Sequence, residues 1–368
     1  MPSGEIQQRV QRHIDSLVGT GAETGVQVAV YRDGALVVDA VAGSADPAAG
    51  RALTSGTPVF SFSTGKNMAT TIAHALVARG YLGYDTRVAD LWPEFGEHGK
   101  AATTLRHVLT HTAGLPAMPR EITPADLPDR SRVCAALAGA EPRWPPGTAV
   151  GYHAYTFGFL VGELARRATG RPMRELLREW VTAPLGIDGQ LYFGAPAEAL
   201  PGFARLEQPA RDRPGGPADD DAILAPWERR PGAELGNDDE ILRADIPSVG
   251  SATAHGLAAM FDALLRARLV DPAQLAQLSA LAFEGTDRVF GTPARMALGF
   301  PLGRAGAPAE ERSAAFGWPG GGGSYAYADP ARGVAFALTK TRLRPDFDTA
   351  LSVTAILADH LARDEERP

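Results

Sequence analysis

The sequence predicts an α+β fold, an α/β sandwich in which helices flank an antiparallel sheet built from both chain termini, with a mostly helical insertion between them. Near the N-terminus, the largely apolar runs 26–31 and 35–41 are separated by Arg32-Asp33-Gly34. Asp-Gly between such runs is typical of a hairpin. Near the C-terminus, the runs 324–328 and 333–339 repeat this pattern, whereas the middle of the chain has helical spacing.

Helices are expected at 5–18 and 348–361, where they would cover the sheet, and at 157–169, 173–181 and 254–265 in the middle of the chain. Gly170 is the expected stop of the first middle helix. These elements predict a discontinuous sheet-containing domain, residues 1–60 with 291–368, and an inserted helical domain, residues 61–290.

Composition excludes some classes of protein. The chain has 368 residues and a net charge of −7, and its arginines are scattered, which argues against a nucleic-acid partner. Its single cysteine, Cys134, excludes an intrachain disulfide. The sequence contains no run of 18 apolar residues, so no membrane span is expected. Residues 1–15 do not resemble a secretory signal. A cytoplasmic location is therefore expected, and the sequence carries no signal for a particular oligomeric state.

The tetrad Ser63-Thr64-Gly65-Lys66 follows the apolar run 58–60 and opens a helical pattern that ends before Gly80. Ser63 and Lys66 are three residues apart, so on a helix they lie on one face. A lysine with a depressed pKa can take the proton of a serine hydroxyl, and a helix N-terminus presents N–H groups to an oxyanion. On its own, the tetrad is also consistent with a helix cap and a solvated lysine.

Two further segments complete a candidate site. Tyr152 lies in a turn before the helix at 157–169, and a phenol beside an ammonium such as that of Lys66 can act as a base. The alternative is an aromatic cap. Four glycines at 320–323 precede a predicted strand, where they would let a ligand approach backbone N–H groups closely. One of these amides and that of Ser63 would form an oxyanion hole, although a flexible loop is also consistent.

Together these segments resemble the serine β-lactamase and penicillin-binding-protein superfamily, specifically its class C-like esterase branch, the family VIII carboxylesterases. The resemblance implies a β-lactamase/transpeptidase-like fold and no metal or cofactor. The matching segments follow the family's order over roughly residues 25–361: Phe62-Ser63-Thr64-Gly65-Lys66, Leu109-Thr110-His111-Thr112-Ala113-Gly114-Leu115-Pro116, Pro146-Gly147-Thr148 with Gly151-Tyr152, Ser251-Ala252-Thr253-Ala254 with Leu257-Ala258, and Gly317 through Ser324 with Asp329-Pro330.

The resemblance implies a role for each matching position. Ser63 would be the acylated nucleophile, Lys66 its partner base, and Tyr152 the residue that activates Ser63 or the deacylating nucleophile. The N–H groups of Ser63 and Gly321 would form the oxyanion hole. His111 lies in a family-typical segment and is interpreted as structural.

Departures from the family pattern bear on the substrate. In β-lactam-processing members the tyrosine motif ends in an asparagine that holds the substrate amide, but here Ala154 has no polar side chain. Those members also carry a Lys-Thr-Gly strand, but here Trp318-Pro319-Gly320 supplies apolar area and an indole N–H without a cation. A lost charge-assisted hydrogen bond weakens binding by about 1.5–3 kcal/mol. His153 is a further candidate contact to substrate.

The stretch 208–247 is rich in Pro, Gly, Asp and Arg and contains one large aromatic residue, Trp227. It is either a solvated surface loop or a loop over the active site, in which Trp227 would help to bind substrate.

The sequence therefore predicts a serine carboxylesterase that hydrolyses neutral acyl esters of small molecules through an acyl-enzyme on Ser63. An acyltransferase that moves the acyl group to an alcohol or amine of a metabolite needs the same residues and is the alternative. A β-lactamase or D-Ala-D-Ala peptidase fits less well because of Ala154 and Trp318. A non-catalytic binding protein fits least, because Ser63, Lys66 and Tyr152 are all present.

Overall fold

The computed structural model describes residues 4–209, 223–229, 232–305 and 313–365. Over these residues the strands are β1 Gly25–Arg32, β2 Ala35–Asp46, β3 Arg51–Ala52, β4 Val59–Phe60, β5 Leu191–Tyr192, β6 Ser251–Ala252, β7 Phe283–Thr286, β8 Pro293–Met296, β9 Tyr325–Asp329 and β10 Val334–Lys340. The α-helices are α1 Glu5–Gly19, α2 Gly65–Ala78, α3 Val88–Leu91, α4 Leu105–Leu109, α5 Arg130–Gly139, α6 Thr156–Thr169, α7 Met173–Leu177, α8 Ala183–Leu185, α9 Pro226–Arg229, α10 Ala233–Gly236, α11 Asp239–Arg243, α12 Ala254–Leu265, α13 Pro272–Leu278 and α14 Asp348–Glu365.

The main sheet joins the two ends of the chain. Its described strands run in the order β3-β2-β1-β10-β9, and β1 pairs antiparallel with β10 from Val26 opposite Lys340 to Arg32 opposite Val334. At the β1–β2 turn, Asp33 and Gly34 both have positive φ, as a tight hairpin turn requires. The predicted α+β architecture is confirmed, with an antiparallel sheet built from both termini.

Alternation along the central strands places different side chains on the two faces of the sheet. Large apolar residues of β1 and β10, such as Val28 and Phe336, pack in one cluster with α1 and α14. The alternate positions include small residues, such as Ala29, Ala335 and Ala337, which join the larger core of the helical part. On this face α12 packs against β1 and β10, and small side chains let it come close.

The helical part surrounds α2. Every residue from Gly65 to Leu76 of this helix is buried, including several polar ones, and α6, α7 and α13 pack against it. Strand β4, at one edge of a short sheet in the order β4-β6-β5, leads through one turn of 3-10 helix into α2. The N-terminus of α2 is therefore fixed on several sides, which is what holds the candidate nucleophile in place.

The predicted helices are present. The helix expected at 173–181 is α7, which continues through a wider turn at Arg178–Thr182 into α8, and Gly170 ends α6 in the left-handed conformation. The domain boundaries near residues 60 and 291 remain a prediction. Within the described residues, no helix has both the length and the apolar character needed to cross a lipid bilayer.

Candidate active site

The candidate nucleophile lies on a constrained turn. After β4, residues Phe62–Thr64 form one turn of 3-10 helix that continues into α2. Phe62 has φ 51°, a left-handed conformation that is unfavourable for an aromatic residue. Its ring is 2% exposed and packs edge-on against Phe60 at 4.9 Å between centroids. Packing of this ring therefore holds the strained backbone that presents Ser63.

Three of the predicted site residues meet at one oxygen atom. Ser63 Oγ lies 2.6 Å from the Tyr152 hydroxyl and 3.0 Å from Lys66 Nζ. Lys66 Nζ also donates to the carbonyl of Ser248 at 3.2 Å. The same nitrogen atom, Lys66 Nζ, lies 4.8 Å from the centroid of the Tyr152 ring. Tyr152 and Lys66 can thus exchange a proton through the serine hydroxyl.

Burial sets the protonation states of this group. Lys66 is 0% exposed, and burial lowers the pKa of its amine well below the usual value because the ammonium loses its hydration. Burial raises the pKa of the Tyr152 phenol, the hydrogen bond from Ser63 opposes this, and the Asp287 charge adds to it. The amine of Lys66 is consequently more readily neutral and available to accept a proton, whereas Tyr152 favours its protonated form. The sequence-based idea that Tyr152 acts as a phenolate base is not favoured by these shifts.

His111 forms an aromatic support for Tyr152. Its imidazole stacks on the Tyr152 ring at 5.7 Å and 10° and on Phe157 at 4.9 Å and 1°. Its Nδ1 accepts a hydrogen bond from the His153 amide at 2.8 Å, which assigns the proton of the neutral ring to Nε2. Burial holds the pKa of His111 well below its usual range. A neutral, buried imidazole stacked between two aromatic rings is consistent with the structural role expected for His111.

The glycine-rich segment 317–323, which leads into β9, runs beside the nucleophile. Asn67, one residue after Lys66, accepts from the Trp318 amide at 2.7 Å and donates to the Trp318 carbonyl at 3.2 Å. The Gly320 amide donates to the Ser324 carbonyl at 2.8 Å, so it is already used. Gly321 lines the same cavity as Ser63, which makes its amide the candidate partner in the oxyanion hole.

Gly320→Ala is expected to lower kcat/KM for short acyl esters by about 10²–10³-fold, the range seen when an oxyanion-hole donor is lost. A Cβ at Gly320 would collide with the Ser61 carbonyl oxygen, so the glycine-rich segment must shift from its position beside Ser63. Steady-state kinetics checks this, with Gly19→Ala as the control, because Gly19 ends α1, has no positive φ and has free space around its Cβ position. Unchanged activity in Gly320→Ala would contradict the role assigned to the glycine-rich segment in the oxyanion hole.

A cavity of about 410 Å³ opens at Ser63. Its wall is mostly apolar, and the charged residues among those that line it are Glu228 and Arg229. Burial raises the pKa of Glu228 to about 7, and its carboxylate accepts from the amides of Met118 and Ala225 at 3.1 and 3.0 Å. The lining residues are Phe62, Ser63, Tyr152, Ala154, Tyr155, Leu224, Glu228, Arg229, Val249, Phe290, Trp318, Pro319, Gly320, Gly321, Pro345 and Phe347.

The predicted substrate-binding residues divide into two groups. Ala154, Trp318 and Gly320 line the cavity. The indole N–H of Trp318, however, donates to the Gly299 carbonyl at 2.7 Å, so Trp318 offers substrate an apolar surface rather than the N–H that the sequence suggested.

His153 and Trp227 are not among the residues that line the cavity. His153 is 0% exposed; its Nε2 accepts from the Leu115 amide at 3.1 Å and its Nδ1 lies 2.6 Å from the Gly151 carbonyl. Trp227 packs against the ring of Tyr155 at 4.9 Å, behind the wall. Both side chains support the site through neighbouring residues.

The stretch 208–247 contains α9, α10 and α11, and residues 210–222 and 230–231 lie outside the described residues. Leu224, Glu228 and Arg229 of this stretch line the cavity, which is the position expected of a loop over the active site. Helices of four or five residues are too short to produce a periodic apolar pattern, so the sequence did not predict them.

Sequence reasoning missed Asn67, Ser248 and Asp287. Ser248 supplies a carbonyl to Lys66, accepts from the Gly158 amide at 2.8 Å and donates to the Tyr155 carbonyl. Asp287 accepts from the Tyr152 amide at 3.0 Å. Ser248 lies three residues before the family-typical segment that begins at Ser251, which was a usable signal, whereas nothing around Asn67 or Asp287 distinguished them. Within the described residues, no group of three or more His, Cys, Asp or Glu side chains is placed to hold a metal ion.

Comparison with known proteins identifies the family of this chain. A family model described as Beta-lactamase matches residues 10–360. The chain is 36% identical over 339 residues to the Esterase/beta-lactamase LipL of Mycobacterium tuberculosis (strain ATCC 25618 / H37Rv), a match that covers 87% of this chain and 77% of LipL.

Solved structures show the same fold. A family VIII carboxylesterase superposes with a TM-score of 0.88 at 29% identity, covering 98% of both chains. A penicillin-binding-protein homologue from Caulobacter crescentus superposes with a TM-score of 0.83 at 33% identity, covering 96% of this chain and 99% of that one. Because the family match spans residues 10–360, the protein belongs to the Beta-lactamase family, within the serine β-lactamase and penicillin-binding-protein superfamily.

Proposed function

We propose that this protein is a serine carboxylesterase that hydrolyses neutral acyl esters of small molecules. The observation that carries the proposal is the convergence of Lys66 Nζ and the Tyr152 hydroxyl on Ser63 Oγ, at 3.0 and 2.6 Å, at the wall of a mostly apolar cavity. LipL and the family VIII carboxylesterase are named as esterases, which supports the same reaction class here.

Acylation begins with the neutral amine of Lys66. The lone pair of Nζ takes the Ser63 proton as Oγ bonds to the ester carbonyl carbon, and the carbonyl oxygen becomes an oxyanion. The amides of Ser63 and Gly321 stabilise that oxyanion. The buried Ser248 carbonyl, 3.2 Å from Nζ, then stabilises the ammonium that has formed.

Release of the alcohol needs a second group, other than Lys66, that donates a proton to the leaving oxygen. When the carbon–oxygen bond to the leaving group breaks, the Tyr152 O–H transfers its proton to the leaving oxygen, and the Lys66 ammonium returns a proton to the phenolate. The raised pKa of Tyr152 keeps the phenol protonated for this step. Water then attacks the acyl-enzyme, with the same pair handling its proton, and releases the acid.

The cavity wall favours acyl groups without charge. Phe62, Val249 and Trp318 supply apolar surface next to Ser63, and Ala154 lines the cavity without a side-chain hydrogen-bonding group. These side chains do not replace the amide and cation contacts made by an asparagine and a lysine in β-lactam-processing members. A short to medium aliphatic or aromatic acyl ester suits this wall best.

The proposal is tested by intact-protein mass spectrometry after brief incubation with p-nitrophenyl acyl esters, with and without alcohol or amine acceptors. An adduct on Ser63 that clears in water alone is the expected result. An adduct that persists in water and clears only with one acceptor would identify the alternative, an acyltransferase. If no ester gives an adduct or releases p-nitrophenol, both are contradicted and a binding protein is supported.

LipL is named both esterase and β-lactamase, so β-lactam turnover needs its own measurement. We expect kcat/KM for a p-nitrophenyl ester to exceed that for nitrocefin by about 10²-fold or more, since each missing polar contact weakens binding by about 1.5–3 kcal/mol. Nitrocefin turnover as fast as ester cleavage would contradict the proposed substrate class.

A further inference from the structure

The tip of the β7–β8 hairpin, residues 287–292, is tied to the turn that carries Tyr152. Asp287 is 8% exposed, and its Oδ2 accepts from the Tyr152 amide at 3.0 Å. Its Oδ1 accepts from the amides of Val289 and Phe290 at 2.7 and 3.0 Å. One buried carboxylate therefore holds both its own loop and the Tyr152 backbone.

Two additional contacts join the same segments. The Arg288 amide donates to the Val150 carbonyl at 2.9 Å, two residues before Tyr152. The Phe290 ring packs on the Tyr152 ring at 5.5 Å between centroids and lines the cavity. The hairpin tip thus contacts Tyr152 through both its backbone and its ring, while His111 stacks on the same ring.

We propose that Asp287 is a positioning residue that fixes Tyr152 for proton delivery to the leaving oxygen. A hydrogen bond to a carboxylate is roughly twice as strong as a neutral one, so the Tyr152 amide is held firmly. The negative charge also opposes a phenolate nearby, and it adds to the effect of burial in raising the pKa of Tyr152. The same side chain therefore holds the Tyr152 backbone and adds to the proton affinity that burial mainly sets.

The inference rests on the proposed function, because leaving-group protonation is the step that Asp287 would support. In that step the Tyr152 O–H bond and the ester carbon–oxygen bond break, and a new O–H bond forms on the departing alcohol. An alkoxide of an aliphatic alcohol is a poor leaving group and needs this proton. A p-nitrophenolate leaves without it, so two esters of one acid separate the step from the rest of acylation.

The test compares p-nitrophenyl butyrate with ethyl butyrate in Asp287→Asn. We expect kcat/KM for the ethyl ester to fall by about 30-fold or more, within the range of general acid catalysis, and that for the p-nitrophenyl ester to fall by less than about 3-fold. Asn can keep the loop contacts to Val289 and Phe290 through its carbonyl oxygen, but it removes the charge.

Asp262→Asn is the matched control. Asp262 is also a buried aspartate, 5% exposed, and it accepts a hydrogen bond from the Gly34 amide at 3.1 Å. It lies on α12 and is not among the residues that line the cavity. Both esters should be cleaved at wild-type rates by this variant. Equal losses on both esters in Asp287→Asn would overturn the inference and leave Asp287 a scaffold role.

A second variant guards against misfolding. Asp287→Glu retains the charge but displaces it by one methylene, so the ethyl ester should again lose more activity than the p-nitrophenyl ester. An unchanged ratio of the two rates in a folded Asp287→Glu protein would also overturn the inference. A Ser63 adduct in the wild type establishes the acyl-enzyme separately, and its absence would contradict the proposed function rather than the role of Asp287.

Discussion

Ser63→Ala is expected to lower kcat/KM for p-nitrophenyl butyrate by about 10⁴-fold or more, as for other serine nucleophiles. Methyl replaces the hydroxyl on which Lys66 and Tyr152 converge, so no covalent intermediate can form. Residual turnover should come from the oxyanion hole and the bound geometry alone. Because Ser63 is only partly buried and its backbone conformation does not depend on Oγ, the variant should fold normally.

Initial rates and intact-protein mass spectrometry check this expectation together. The variant should show no acyl adduct where the wild type shows one mass increment per acyl group. Ser279→Ala is the control, since its hydroxyl only bonds carbonyls of α13, with Leu275 at 2.8 Å. Wild-type ester hydrolysis by Ser63→Ala would refute the acyl-enzyme and leave any esterase activity to another group.

Local elements could be predicted from the sequence because local patterns encode them. Asp33-Gly34 between apolar runs predicts the β1–β2 hairpin, and that hairpin forms with positive φ at both residues. Apolar spacing and Gly170 likewise predict α6. The β7–β8 hairpin was not predicted, because Phe283–Thr286 is intermediate or exposed at every position and lacks the alternation that identifies a half-buried strand.

The site was predictable only as far as its motifs are specific. The proximity of Ser63, Lys66 and Tyr152 could be predicted because the family pattern already relates their segments. His153 and Trp227 show where that information ends, since the direction of a side chain depends on tertiary packing. His153 lies next to Tyr152 in the chain, yet its ring bonds backbone groups of Leu115 and Gly151. Asp287 lies 135 positions from Tyr152, a separation that no local pattern bridges.

Burial is the property of Lys66 that the sequence least reveals. The first turns of α2 contain Lys66, Asn67, Thr70 and Thr71, which as residue types are usually exposed, and all four are buried. Asn67 pairs with the backbone of Trp318, and Thr70 donates to the Gly299 carbonyl at 3.0 Å. Polar side chains here serve to hold segments around the site, so a hydrophobicity pattern understates how enclosed the amine is.

Lys66→Met is expected to lower kcat/KM for short acyl esters by about 10³-fold or more, because it removes the proton acceptor for Ser63. The wild type should lose activity as the pH falls through the pKa of Lys66, since the ammonium has no lone pair to accept the Ser63 proton. Burial lowers that pKa well below the usual value, so the amine should be active at neutral pH. Any residual activity of Lys66→Met should lack this acidic limb.

The same substitution should stabilise the fold. Because the folded state binds a proton on Lys66 less tightly than the unfolded state does, its burial destabilises the protein at neutral and acidic pH, and this penalty disappears as the pH rises through the unfolded-state value. Methionine fills the space without that penalty and leaves only one carbonyl, that of Ser248, without the lysine donor, so we expect a net rise in Tm of about 2–4 °C at pH 7. Stability would then have been sacrificed for catalysis at this position.

Lys100→Met is the control that shows whether the changes in Tm and activity of Lys66→Met follow from removing any buried lysine or from the position of Lys66 in the site. Lys100 is also 0% exposed, but its Nζ donates to the carbonyls of Glu97, Ala138 and Ala140 at 3.0, 3.0 and 2.5 Å. Its removal leaves three carbonyls without a donor, so Tm should fall while kcat/KM stays near the wild-type value. If both variants lower Tm, burial of the Lys66 amine does not cost stability; if Lys66→Met retains activity at neutral pH, Lys66 is not the catalytic base proposed for this site.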